Sequence, residues 1–320
     1  TTDPRNRHAN DYLTGFLRHV AEKGTPIDFI SFHAKGAPTL VGGSVRMNLG
    51  RQMKNISEGF KAVASFPQFK NLPVIVTESD PEGCAACSVD LHPQNAYRNG
   101  TMYSSYTAAS YARELELARH YGVNFAGAVT WAFEFEDQKW FAGFRDLATN
   151  GVDKPVLNVF RMFGMMRGDL AETTSSRPLN AFELIDAGVR DKADVNAMAT
   201  FDDSGACVMV WNYHDDDIAS APSHVSLEIG GVKGGKVLVS HYRVDDETSN
   251  SYSEWKAMGS PQSPTPQQYR LLEASGQLQL KESPFWTDAR EGILSLDFDL
   301  PRQGVSLFRL QYNHTRSEEH

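Results

Sequence analysis

The sequence predicts a parallel α/β part followed by an all-β part, and three observations lead to this fold class. In the first half, a short apolar run followed by a helical pattern occurs three times. In the second half, apolar and polar residues alternate, which is the period of strands with one buried face. With 320 residues the chain is too long for one typical core, so we expect two domains, at residues 1–169 and 170–320.

The first strand–helix unit begins with a short apolar run at residues 27–33. After this run, apolar residues recur at spacings of four and three, which places them on one face of a helix. These residues are Leu49, Met53, Ile56, Phe60 and Val63. The pattern therefore predicts a strand followed by an amphipathic helix.

Two further units repeat this pattern. Residues 73–78 form the second apolar run, and the helix predicted over residues 106–121 can end at Gly122. Residues 125–133 form the third run, and Pro155 is suited to open the next helix. An earlier amphipathic helix precedes the first strand, which implies another strand before it. The apolar face of that helix consists of Tyr12, Leu13, Phe16, Leu17 and Val20.

The second half is predicted to form an antiparallel β-sandwich. Alternation is clearest at residues 225–229 and 294–300, and residues 197–213 have the pattern of a hairpin that turns at 202–205. Further strands are predicted at residues 236–243, 277–281 and 305–310. Residues 245–268 are rich in Ser, Pro and Gln, which predicts a long loop.

Composition and charge exclude several classes of protein. Hydrophobic residues make up 41% and charged residues 22% of the chain, which excludes a largely disordered protein. The net charge of −9 disfavours binding to nucleic acid or to an anionic membrane surface. No apolar run approaches the roughly 20 residues that span a bilayer. We expect a soluble protein. Its first residues lack the features of a signal peptide, but this says little about the compartment if the true N-terminus lies outside the sequence.

Polar side chains close each of the three predicted parallel strands. In parallel α/β barrels, functional side chains project from the carboxyl ends of the strands. A rim of carboxylates and aromatic rings suits a sugar, because rings cover its C–H surface and carboxylates bind its hydroxyl groups. One carboxylate can also attack the anomeric carbon. The candidate residues at these ends are His33, Lys35, Glu78, Trp131, Glu134 and Glu136.

The same residues also have purely structural interpretations. Glu78 can cap the following helix or pair with a lysine. His33 can be a hydrogen-bonded structural histidine, and Lys35 can be a surface charge. Trp131 can belong to the core. Position at the end of a strand favours the catalytic interpretation for Glu78 in particular.

Two other motifs suggest a metal at first sight. Cys84 and Cys87 have CxxC spacing, but no second Cys or His pair lies nearby in the sequence, so free thiols or a local disulfide are favoured over a zinc site. The chain has three cysteines, too few for a disulfide framework. Residues 214–217 read His-Asp-Asp-Asp, and a solvated turn between sandwich strands is favoured over a metal site there.

At the strand ends the sequence resembles glycoside hydrolase family 39, which includes β-xylosidases and α-L-iduronidases. The matching stretches are residues 28–36, 72–83, 140–145, 153–163, 211–214 and 249–252. The resemblance implies that the three parallel strands are strands six to eight of a TIM (β/α)₈ barrel, and that a β-sandwich follows this C-terminal part of the barrel.

The resemblance also implies roles for the residues of the rim. Glu78 corresponds to the nucleophile at the end of strand seven. His33 and Lys35 belong to the sugar-binding segment of strand six. The corresponding residues at the strand-eight rim are Trp131, Glu134 and Glu136.

The sequence departs from the family in one respect. Family members carry their acid/base glutamate in an Asn-Glu-Pro motif after strand four, and the sequence contains no such motif. If residues 27–33 form strand six, the first five strands and the general acid lie outside these 320 residues. The missing barrel segment would then be a necessary partner.

The implied reaction is hydrolysis of a terminal glycosidic bond with retention, through a covalent intermediate on Glu78 and without a metal or organic cofactor. A β-xyloside is the leading substrate. An α-L-iduronide is the alternative, with Lys35 available to neutralise its carboxylate, and another exo-glycosidase substrate stays open. A carbohydrate-binding protein on a decayed hydrolase scaffold is the alternative from a different class.

Overall fold

The computed structural model describes residues 8–130, 135, 137–176, 179–233 and 235–312. Its first half alternates helices and strands, as the sequence predicts. In chain order the elements are α1 (His8–Lys23), β1 (Ile30–Lys35), β2 (Thr39–Val41), β3 (Ser44–Arg46), α2 (Leu49–Ala64), β4 (Val74–Asp80), a 3₁₀ helix (Pro93–Asn99), α3 (Thr101–Tyr121), β5 (Phe125–Ala128), β6 (Ala148–Thr149), β7 (Val152–Asp153) and α4 (Pro155–Met165).

Strands β1, β4 and β5 form a parallel sheet with β4 in the middle. Ile30 pairs with Val74, and Val74 pairs in turn with Phe125. Because parallel strands end at the same edge of a sheet, this register brings the carboxyl ends of β1 and β4 together. Part of the predicted third strand, residues 131–133, lies outside the described residues.

The helices before and after β1 bury different fractions of their predicted faces. On α2, Leu49, Met53, Ile56, Phe60 and Val63 are all fully buried, so the predicted face is confirmed.

On α1 the prediction is only partly right. Leu17 and Val20 are buried, whereas Tyr12 is 77% exposed and Phe16 44% exposed. The spacing places these residues on one side of the helix, but within the described residues only part of that side is covered.

Helix α3 is the central helix of the protein and contacts α2, α4 and the sheet of the second half. It ends as predicted at Gly122, whose φ of 64° is left-handed and therefore suits glycine. It begins at Thr101, earlier than predicted, because its first turns bury polar side chains. Ser105, for example, donates a hydrogen bond to Gln303 at 2.5 Å, so no apolar period marks this part of the helix.

The second half consists mainly of antiparallel strands, as predicted. In chain order its elements are β8 (Asp169–Ala171), α5 (Ala181–Ala187), β9 (Asp194–Asp202), β10 (Gly205–Tyr213), β11 (Ser223–Ile229), β12 (Lys236–Val244), α6 (Ser251–Ala257), α7 (Pro266–Gly276), β13 (Gln279–Leu280), β14 (Phe285–Asp288), β15 (Leu294–Leu300) and β16 (Val305–Tyr312). The hairpin predicted at residues 197–213 is confirmed as β9 and β10.

Two antiparallel sheets pack face to face in this half. The larger sheet runs in the order β13-β12-β16-β10-β9-β8, with β14 also paired to β12, and the smaller sheet pairs β11 with β15. Val208 and Val210 of the larger sheet pack against Val225 and Phe298 of the smaller one. The other face of the larger sheet packs on the first half, where the rings of Tyr213 and Tyr106 lie 5.8 Å apart. The division at residues 169/170 stays a prediction.

The long loop predicted at residues 245–268 is wrong, because this stretch contains α6 and the start of α7. Both helices begin at side-chain caps: Asn250 accepts from the backbone N–H of Ser253, and Thr265 forms a capping box with Gln268. Trp255 of α6 and Leu272 of α7 pack with Trp140, Phe141 and Val152 of the first half. Tertiary packing therefore stabilises two short helices in a stretch whose composition alone predicts a loop.

The solvated turn predicted at residues 214–217 is also wrong, since His214 and Asp215 are buried. Asp215 accepts hydrogen bonds from the backbone N–H groups of Leu49 and Val189 at 3.0 and 2.9 Å and from the hydroxyl of Tyr213 at 2.7 Å. This carboxylate caps the start of α2 from the second half. Asp215 thereby joins the two halves. The carboxylate is buried between them, and these hydrogen bonds supply the partners that a buried carboxylate needs.

Two features are absent from the part of the chain that the structure describes. No helix there combines the length and apolar character needed to cross a bilayer. No group of three or more His, Cys, Asp or Glu side chains among these residues has the arrangement of a metal site.

Candidate active site

The carboxyl ends of β1 and β4 meet at one edge of the parallel sheet and carry four charged or titratable side chains. A register shift after Phe32 places His33 opposite Glu78 and Lys35 opposite Asp80. Three residues selected from the sequence, His33, Lys35 and Glu78, are therefore brought together.

Lys35 bridges two carboxylates. Its Nζ lies 2.5 Å from Oε2 of Glu78 and 2.5 Å from Oδ2 of Asp80. The side chain of Lys35 is 12% exposed and that of Glu78 is 23% exposed, whereas Asp80 is fully buried. Glu78 is thus the carboxylate of the pair that a ligand can reach.

Arg145 is a second cation on the same carboxylates, and it is not among the site residues predicted from the sequence. Its guanidinium is almost fully buried and lies 3.5 Å from Oε2 of Glu78 and 3.3 Å from Oδ2 of Asp80. Thr130 donates a hydrogen bond to the other oxygen of Asp80. One feature of the sequence could have indicated Arg145, because it is a single cation directly after the aromatic segment 140–144. An arginine that is buried with such a segment needs an anionic or hydrogen-bonding partner.

The surroundings of Glu78 favour its ionised form. Partial burial raises the pKa of this carboxyl, but the hydrogen bond from Lys35 and the positive charges of Lys35, His33 and Arg145 outweigh burial and bring the pKa below its ordinary value of 4.5. Glu78 is therefore an anion at neutral pH, the form that a carboxylate nucleophile needs.

His33 lies on the open side of the cluster. Its Nδ1 is 3.8 Å from Oε2 of Glu78, and its side chain is 55% exposed. The ring can thus contact a ligand that approaches Glu78. The other predicted rim residues, Trp131, Glu134 and Glu136, lie outside the described residues, so their sugar-binding role stays a prediction.

Behind Glu78, a buried polar network fixes the end of β4. The hydroxyl of Ser79 donates to Oε1 of Glu114 at 2.5 Å and accepts from the side-chain amide of Gln52 at 2.7 Å. The hydroxyl of Tyr106 donates to the carbonyl oxygen of the same amide. Helices α2 and α3 are therefore both tied to the residue that follows Glu78.

Glu114 gives the protein a testable pH dependence. Desolvation raises its pKa to about 8, against the opposing hydrogen bond from Ser79. The folded protein then keeps a proton that the unfolded chain has released above about pH 4.5. This contribution to stability is present below the unfolded-state pKa and is lost as the pH rises towards the folded-state value.

We expect Glu114→Gln to remove this dependence. Between pH 5 and pH 8 the free energy of unfolding of the wild type should fall relative to the variant, by about 1.4 kcal/mol per pH unit at most. Urea unfolding of the full-length protein at several pH values measures the difference. Parallel pH profiles for the two proteins would contradict a neutral Glu114.

The loop after β4 contains the predicted CxxC pair. Cys84 and Cys87 form a disulfide, one of the two possibilities left open by the sequence, while Cys207 is a buried free thiol. Within this loop Glu82 forms an ion pair with the fully buried Arg98. The loop therefore has a fixed conformation beside the charged cluster.

Comparison with known proteins identifies the family of the chain. The model of Glycosyl hydrolases family 39 matches residues 4–289. A β-xylosidase from Geobacillus stearothermophilus is 23% identical over 318 residues, which cover 95% of this chain and 55% of that protein. An α-L-iduronidase from Mus musculus is 25% identical over 285 residues, which cover 79% of this chain and 40% of that protein.

The fold is also similar to a solved structure. The crystal structure of a monomeric β-xylosidase from Caulobacter crescentus CB15 superimposes with a TM-score of 0.69 at 16% identity, over 95% of this chain and 59% of that one. The chain thus spans about half the length of the relatives it matches. Because the family model covers most of the chain, the resemblance stated from the sequence is confirmed: the chain belongs to glycosyl hydrolases family 39.

Proposed function

We propose that the protein is a retaining exo-glycosidase in which Glu78 is the nucleophile. The observation that carries this proposal is the position of Glu78: it is an anion at the carboxyl end of β4, partly open to ligand and held by Lys35 and Arg145. Attack of its Oε on the anomeric carbon would break the glycosidic bond and form a glycosyl ester, which water then hydrolyses.

The proposed mechanism needs a second carboxyl group as general acid and base, about 5–5.5 Å from the nucleophile in retaining enzymes. Asp80 is fully buried and paired with Lys35, and Glu82 is paired with Arg98. Neither is therefore suited to protonate a leaving group. We place the acid/base residue outside these 320 residues, consistent with the absence of an Asn-Glu-Pro motif.

The edges of the parallel sheet support this placement. Within the described residues, β1 and β5 each leave one edge unpaired. Phe29, just before β1, is 55% exposed, and Val129, just after β5, is 51% exposed. Further parallel strands that pair with these edges would complete a (β/α)₈ barrel, of which the present strands are six to eight, and would supply the acid/base residue.

The charge of the site favours a neutral sugar, with a β-xyloside as the leading substrate. Lys35 and Arg145 are each already paired with both Glu78 and Asp80, so the charges of these two cations are shared with protein carboxylates before a substrate carboxylate could bind. The other rim carboxylates, Glu134 and Glu136, would make the rim more negative. An α-L-iduronide would meet a less complementary site.

Assays of the full-length protein on a panel of aryl glycosides test the proposal. We expect kcat/KM for an aryl β-xyloside to exceed that for an aryl α-L-iduronide by at least about tenfold, because an uncompensated buried charge costs more than about 1.4 kcal/mol. Proton NMR should show β-xylose as the first product. Faster turnover of the iduronide would reverse the substrate assignment, and α-xylose as first product would exclude retention. Sugar binding without any turnover would indicate the carbohydrate-binding alternative.

A further inference from the structure

The disulfide-closed turn after β4 presents its backbone carbonyls to two buried arginines. Arg98 is fully buried and donates to the carbonyl of Cys84 at 2.8 Å and to that of Gly143 at 3.1 Å. Its ion pair with Glu82 fixes the start of the same turn. Arg98 therefore joins the turn closed by Cys84 and Cys87 to the segment that leads into Arg145.

Arg145 is held by the same turn from two sides. Its backbone N–H donates to the carbonyl of Ala85 at 2.9 Å, and its guanidinium donates to the carbonyl of Glu82. The nitrogen that donates to Glu82, Nη1, also lies 3.3 Å from Oδ2 of Asp80, and Nη2 lies 3.5 Å from Oε2 of Glu78. The turn thus sets where Arg145 stands relative to the proposed nucleophile.

We infer that Arg145 is a positioning residue for Glu78, and that the Cys84–Cys87 turn holds Arg145 in place. The inference rests on the proposed function and deepens it, because it assigns a role in the reaction to a loop arginine and to the disulfide-closed turn that holds it. A crosslink between residues so close in sequence stabilises a fold less through loop closure than a crosslink over a long loop does. We assign the Cys84–Cys87 crosslink a second role, which is to fix the Glu82 and Ala85 carbonyls that orient Arg145.

The charges around Glu78 determine the sign of the expected effect. Among the described residues, three side chains face the carboxylate of Glu78, namely Lys35 and His33 of β1 and Arg145. Asp80, on the same strand as Glu78, also pairs with Lys35 and Arg145. Without Arg145, Lys35 would be shared by two carboxylates, and Glu78 would keep only a share of Lys35 and the more distant His33. The pKa of Glu78 should then rise, and the acid limb of kcat/KM should move to higher pH.

The first test replaces Arg145 in the full-length protein. We expect Arg145→Met to lower kcat/KM about tenfold to a hundredfold, because a charged hydrogen-bonding partner is lost from a buried site. The acid limb should shift to higher pH, and Arg145→Lys should restore part of both. An unchanged acid limb in Arg145→Met would overturn the positioning role, even if the rate fell.

The second test breaks the disulfide in the folded protein, so it does not depend on a variant that folds. Dithiothreitol reduces the bond to two thiols and is itself oxidised to its cyclic disulfide. We expect kcat/KM to fall about tenfold on reduction, since displacement of a supporting group by about 1 Å can cost as much, with the same shift of the acid limb. Full activity with an unshifted limb after reduction would overturn the role of the turn.

Two matched variants make the redox result specific. Cys207→Ala, which removes the distant free thiol, should stay as sensitive to dithiothreitol as the wild type. Cys84→Ser/Cys87→Ser should match the reduced wild type and be insensitive. A response of the double variant to dithiothreitol would place the effect elsewhere and overturn the inference.

A readout that does not need turnover separates this inference from the proposed function. In protein labelled with ¹³C in glutamate carboxyl groups, NMR titration gives the pKa of Glu78, assigned by its absence in Glu78→Gln. We expect this pKa to rise in Arg145→Met and in the reduced wild type. If the protein hydrolyses no glycoside and yet shows these shifts, the proposed function fails and the positioning role stands. An unshifted Glu78 overturns the positioning role.

Discussion

Glu78→Gln should lower kcat of the full-length protein by about a thousandfold or more and leave its fold intact. The amide has the shape of the carboxylate but cannot form the glycosyl ester. The substitution also removes an anion that is paired with Lys35 and Arg145. Because Glu78 is partly exposed, we expect only a small loss of stability from this change. Hydrolysis of an aryl β-xyloside measures the rate, and circular dichroism verifies the fold.

Glu228→Gln is the matched control for this substitution. It makes the same chemical change at an exposed position on β11 of the sandwich, so activity should stay within about twofold of the wild type. Activity of Glu78→Gln within about tenfold of the wild type would remove Glu78 from the role of nucleophile.

Lys35→Met should lower kcat/KM about tenfold to a hundredfold for neutral and acidic glycosides alike. The partly buried ammonium lies 2.5 Å from both Glu78 and Asp80, and loss of a charged hydrogen-bonding partner costs about 1.5–3 kcal/mol. Lys35 also lowers the pKa of Glu78, so its removal should move the acid limb of the pH profile to higher pH.

The substrate dependence of the Lys35→Met effect separates two roles. If the lysine reads a substrate carboxylate, its loss should damage uronide hydrolysis far more than xyloside hydrolysis. If its charge is already shared by two protein carboxylates, its loss should damage both equally. Lys54→Met, at an exposed lysine of α2, serves as the control. Selective loss of uronide activity would contradict the expectation that the charge of Lys35 is shared by Glu78 and Asp80.

The sequence predicts well those elements that have one buried apolar face and one polar face, because their apolar residues recur with a regular period. Residues 294–300 alternate because one face of the strand is buried, and β15 has these bounds. Helix α2 buries every residue of its apolar stripe. The start of α3 and the helices α6 and α7 escape prediction because buried polar side chains and capping groups stabilise them, and neither produces an apolar period.

The sequence predicts those residues of the candidate site that lie at the carboxyl ends of the parallel strands. Glu78, Lys35 and His33 close adjacent parallel strands, and the sheet brings them together. Arg145 comes from a loop far along the chain from the two carboxylates it contacts, and tertiary packing rather than any local pattern places it beside them. The prediction for Asp215 is wrong for the same reason, since its partners lie on distant elements.

The central claim, that Glu78 is the nucleophile of a retaining glycosidase, is tested most directly by trapping its covalent intermediate. The full-length protein is incubated with an aryl 2-deoxy-2-fluoro-β-xyloside, whose fluorine slows hydrolysis of the glycosyl ester, and is then digested and analysed by mass spectrometry. We predict one fluoroxylosyl group on the peptide that contains Glu78, and none in Glu78→Gln. A label on any other residue, or turnover of β-xylosides with no label at all, would contradict the account.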